Sequence, residues 1–125
     1  MKRIVLFLLL SIALLGCRSS VATGDLTITL TADPSPAMVG DASLIITLRD
    51  KADNAIENAT VRVKGDMTDD AVEPVLGEVV GGNYGVYSVP FAWPMAGDWV
   101  VTVEVESADG TRQEQTFDLS VTGTS

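Results

Sequence analysis

The chain has 125 residues, with 17 acidic against eight basic side chains and no histidine. One cysteine allows no intramolecular disulfide, so an apolar core alone must hold the fold. The acidic balance repels phosphate backbones and excludes nucleic acid as a partner, and the missing imidazole removes the usual general base and the commonest metal ligand.

Lys2 and Arg3 form a positive start, followed by an apolar stretch from Ile4 to Leu15 broken by Ser11. Twelve residues at ~1.5 Å each give roughly 18 Å of helix, short of the ~30 Å hydrocarbon core of a bilayer. That length fits the apolar region of a helical signal peptide. The stretch ends in Leu14-Leu15-Gly16-Cys17, which resembles the bacterial lipobox. The resemblance implies cleavage after residue 16 and a diacylglyceryl thioether on Cys17. The protein is then lipid-anchored in a bacterial cell membrane or outer membrane, with its domain on the extracytoplasmic side. Two acyl chains hold stably where one does not. Cleavage removes two basic residues and no acidic one, moving the formal charge from −9 to −11. Residues 17–24, the lipidated cysteine and Arg18 to Gly24, read as a short flexible tether.

From residue 25 to 125 the pattern has period two, which is that of strands with one face in a core. Leu26, Ile28 and Leu30 alternate with threonines, and Asp33-Pro34-Ser35-Pro36 then breaks the strand. Leu44, Ile46 and Leu48 make a second set, followed by a hairpin turn predicted at Asp50 to Asn54. Val61 and Val63 flank Arg62. Weaker strands are predicted at Val75 to Val80 and Tyr84 to Phe91, separated by Gly81-Gly82-Asn83. Pro90 removes a ladder donor and predicts an edge or a bulge there. After a turn at Pro94 to Gly97, Trp99, Val101, Val103 and Val105 form a core-facing row. A hairpin turn at Ala108 to Thr111 leads to Phe117, Leu119 and Val121. About seven strands at this spacing predict an all-β, immunoglobulin-like antiparallel sandwich of two sheets in a single domain.

Between Pro36 and Glu106 the order of features resembles the YtkA-like domain family, related to FixH-type and CopC-like sandwiches. Pro36 to Gly40, the strand Leu44 to Leu48, and Ile56-Glu57-Asn58-Ala59 before Val61 carry the likeness. So do Gly82-Asn83-Tyr84, Val86-Tyr87, Phe91, and Met95 to Trp99. The resemblance implies a small exported or membrane-anchored sandwich, some relatives being associated with copper handling or oxidase assembly. Relatives often place methionine and histidine in the loop after the third strand. Here Gly65 to Pro74 holds Met67 and no histidine.

Three candidate sites follow from the residues. Asp66, Asp69, Asp70 and Glu73 lie in one acidic loop, but their spacing is not that of an EF-hand, and a solvated loop is the plainer reading. Met38, Met67 and Met95 lie in or beside loops, where soft thioethers favour Cu(I) if they converge; core filling is the usual role of methionine. Of the aromatic group Tyr84, Tyr87, Phe91, Trp93 and Trp99, Trp99 is in phase with core valines. For Trp93, next to Pro94, core or rim packing is the plainer reading, and a loop position that meets a partner is the alternative. No base stands ready to activate a serine or threonine except a carboxylate or a lysine. The sequence reads as a non-enzymatic accessory or interaction module of the cell envelope, needing no cofactor. A divergent metal-handling domain is the alternative.

Overall fold

The computed structural model describes residues 26–68 and 72–123. The signal peptide, Cys17, the tether, Asp69 and Asp70 lie outside the described residues. Eight strands follow in chain order: β1 (Thr27–Asp33), β2 (Ala37–Met38), β3 (Gly40–Arg49), β4 (Thr60–Met67), β5 (Val75–Val80), β6 (Val86–Trp93), β7 (Gly97–Glu106) and β8 (Arg112–Thr122). They form a three-stranded sheet in the order β1-β3-β6 and a five-stranded sheet in the order β2-β8-β7-β4-β5. This is the expected all-β two-sheet sandwich.

Alternation decides what fills it. Ile28 and Ala32 of β1, Leu44, Ile46 and Leu48 of β3, and Tyr87, Val89, Phe91 and Trp93 of β6 point inward from one sheet. Val61 and Val63 of β4, and Trp99, Val101, Val103 and Val105 of β7, meet them from the other. Trp99 lies on the same inner row as the three valines, as its phase predicts.

The eighth strand comes from the proline-rich break. The chain leaves β1 at Asp33, crosses to the other sheet through Pro34 and Pro36, and pairs Ala37 and Met38 parallel to Val121 and Thr122. This parallel pair is an exception to the antiparallel expectation. A second difference is at Asp50 to Asn54. The turn is tight, with the Asp50 N–H donating to the Asn54 carbonyl at 2.9 Å, but β3 and β4 belong to different sheets, so it is no hairpin. Periodicity reports which residues face a core, not which sheet a strand joins. The turn at Ala108 to Thr111 is a true hairpin between β7 and β8. β6 is an edge of the three-stranded sheet, where Pro90 is tolerated.

Candidate functional site

Trp93 packs in the core, the plainer of its two readings, and does not stand at a loop. β6 runs two residues past Phe91, so Trp93 falls in phase with Tyr87, Val89 and Phe91 and is only 1% exposed. Its ring meets Phe91 edge-on at 4.8 Å and Trp99 at 5.4 Å between centroids. Pro94 ends the strand after the tryptophan. The Trp99 indole N–H donates to the Met95 carbonyl at 3.1 Å, whereas the Trp93 indole nitrogen meets no acceptor among the described residues.

The three methionines share one end of the sandwich but not one face. Met67, at the end of β4, packs against the core with its methyl group over Gly97. Met38 follows the buried Ala37 on β2, so alternation turns it to the opposite side of the sheet. Met95 lies exposed in the turn before β7. The strand geometry therefore separates Met38 from Met67.

Of the acidic loop, Asp66 belongs to β4 and approaches Lys64 at 3.8 Å, while Glu73 is exposed. Among the described residues, no three histidine, cysteine or carboxylate side chains gather as metal ligands.

Two buried polar groups join the sheets. The Tyr87 hydroxyl donates to the Ile56 carbonyl at 2.7 Å and accepts from the Ala59 N–H at 3.2 Å, fixing the crossing between β3 and β4. The Gln113 carboxamide accepts from the Leu26 N–H at 3.0 Å and donates to the Leu26 carbonyl at 2.7 Å. It ties the start of the domain to β8. Gln113 went unnoticed in the sequence, yet the signal was there: it stands four, six and eight residues before Phe117, Leu119 and Val121, in core phase.

The outer face of the five-stranded sheet carries the organised polar chemistry. Register places Arg62 of β4 between Glu78 of β5 and Glu104 of β7. The guanidinium binds Glu78 at 2.8 Å, Glu104 at 3.3 Å and Glu106 at 3.5 Å. Desolvation on the sheet disfavours its charge, but the bonds to Glu78, Glu104 and Glu106 outweigh that and raise its pKa above the ordinary value. Beside it runs an open trough lined by Arg62, Lys64, Leu76, Glu78, Thr102, Glu104 and Glu114. Leu76 is 71% exposed on its rim. An apolar side chain beside a fixed array of charges suits surface recognition. The trough is open to solvent rather than enclosed.

No curated protein matches the sequence. Among solved structures, the fold is similar to the crystal structure of the PmoD soluble domain from Methylocystis sp. ATCC 49242 (Rockwell). The identity is 15% and the TM-score 0.49, covering 82% of this chain and 95% of that one. The family model described as YtkA-like matches residues 20–104, reaching back through β1 beyond the Pro36 at which the sequence likeness begins. Because that match spans well over half of the chain, the protein belongs to the YtkA-like family.

Proposed function

We propose that this chain is a non-enzymatic, lipid-anchored accessory module of the bacterial envelope, which docks a protein partner on the outer face of its five-stranded sheet. The observation that carries the reading is the Arg62 array beside Leu76. Three glutamates hold the guanidinium in place, so the surface is set before a partner arrives and little ordering entropy is lost on contact. The lipobox-like Leu14 to Cys17 supports the anchor, and the acidic surface favours a partner with a basic face.

Two experiments test the two halves. Cys17→Ser is expected to release the protein from the membrane fraction, or to leave it there as an uncleaved precursor; unchanged association with unchanged processing refutes the anchor. Capture from detergent-solubilised membranes is expected to recover a partner with the wild type and to lose it with Leu76→Glu. Equal recovery by both refutes the docking face.

A further inference from the structure

Among the described residues, β8 presents a long open edge. On one flank β5 folds over β6: a Cβ at Gly77 would lie 2.7 Å from Val89 Cγ1 and 3.1 Å from the Pro90 carbonyl oxygen. On the other flank, β2 pairs β8 only at Val121 and Thr122. From Arg112 to Ser120, β8 has no strand on its outer side among the described residues. The Val39 N–H donates to the Thr122 carbonyl at 3.0 Å, so the backbone of Thr122 faces outward. The pairing with β7 runs without a bulge from Val121 back to Arg112. Alternation then points the N–H and C=O of Ser120, Asp118, Thr116, Glu114 and Arg112 outward as well, an unpaired row of donors and acceptors. Between them Gln115, Phe117 and Leu119 face inward but are only half-buried.

We propose that β8 pairs antiparallel with β8 of a second copy of this chain, in a register centred on Gln115. Charge selects that register. Arg112 then stands opposite Asp118 of the second copy, twice by symmetry, and Glu114 stands opposite Thr116. Sliding two residues one way sets Glu114 against Asp118, and the other way sets it against Glu114, both like-charge pairs. The two-fold axis closes the assembly at two copies. Pairing also covers Phe117, which comes to lie opposite Gln113 of the other copy. The free edge of β1 carries no charge from Thr27 to Ala32 and has no comparable means of fixing a register. At physiological salt, screening within ~8 Å weakens the repulsion between two acidic domains and leaves the contact pairs to decide.

The position of the chain's entry agrees with this arrangement. Gln113 holds Leu26, and Gln113 lies two residues from the axis. The two copies of Gln113 are separated by four strand positions, roughly 13 Å. Both chains therefore enter their domains at Leu26 beside the interface.

The test uses the full chain in mild detergent. Gln115→Cys is expected to form a disulfide-linked dimer on mild oxidation, since Gln115 faces its own copy across the axis. Wild type, with Cys17 alone, and Thr116→Cys are expected not to. Asp118→Arg is expected to weaken the dimer about tenfold or more, and adding Arg112→Asp to restore it. Thermal midpoints close to wild type check that each variant folds. A wild type that is monomeric by light scattering throughout the micromolar range overturns the proposal. So does an Asp118→Arg variant that dimerises as the wild type does, or cross-linking through residue 116 instead of 115.

Discussion

At Tyr87 one hydroxyl serves two backbone groups that strand pairing leaves over. Ile56 and Ala59 lie where the chain passes between sheets, and neither the Ile56 carbonyl nor the Ala59 N–H bonded to Tyr87 is part of a ladder. Tyr87 is fully buried, so water cannot replace the hydroxyl without opening the core. Tyr87→Phe keeps the ring and removes both bonds. It is expected to cost about 1–3 kcal/mol, seen as a lower urea midpoint at an unchanged slope. The residue type and phase of Tyr87 are legible in the sequence, but its partners, 28 and 31 residues away, are not. At Trp93 the neighbouring proline leaves a loop position open in the sequence, and the length of β6 puts the ring in the core.

Among the elements, β5 depends most on a single small residue. Its inner face reads Val75, Gly77, Val79, and the glycine lies directly against Val89 and the Pro90 carbonyl of the facing sheet. A methyl group there meets atoms that have little room to move, since Val89 is fully buried and the carbonyl is backbone. Gly77→Ala is expected to destabilise by about 1–3 kcal/mol through overpacking, against the usual gain of alanine over glycine in a strand. Hydrogen exchange checks where the damage falls: protection is expected to drop first in β5 and β6. If stability rises instead, the two edges are not packed as described. Period two located every strand but the two-residue β2, which is too short to carry a period.

For the whole molecule, pH dependence follows from what the chain lacks and how its turns are built. With no histidine, no imidazole switch operates between pH 5 and 8. At the acid end, Asp50 accepts from the Asn54 and Ala52 N–H groups and Asp109 from the Thr111 N–H, which lowers both pKa values below the ordinary 3.8. A depressed carboxylate contributes stability that is complete above its unfolded value and is lost as pH falls through its folded one. Stability is therefore expected to decline as pH drops below about 4. Asp50→Asn with Asp109→Asn keeps an oxygen acceptor at each turn and removes the titration. Denaturant titrations at a series of acid pH values are expected to show a shallower decline for the double variant.

Strand content, inward and outward faces, tight turns and the family are legible in the sequence, because alternation and turn chemistry are local and are written at fixed spacings. So is the lipobox-like motif, which needs no fold to be read. Which strands share a sheet, and that Met38 and Met67 face opposite ways, follow from the packed fold alone. So do the carboxylates that Arg62 collects from β5 and β7, and the open edge that β8 keeps among the described residues. Those facts depend on register between segments tens of residues apart. Many pairings satisfy the same alternation, and the packing of the assembled core chooses among them.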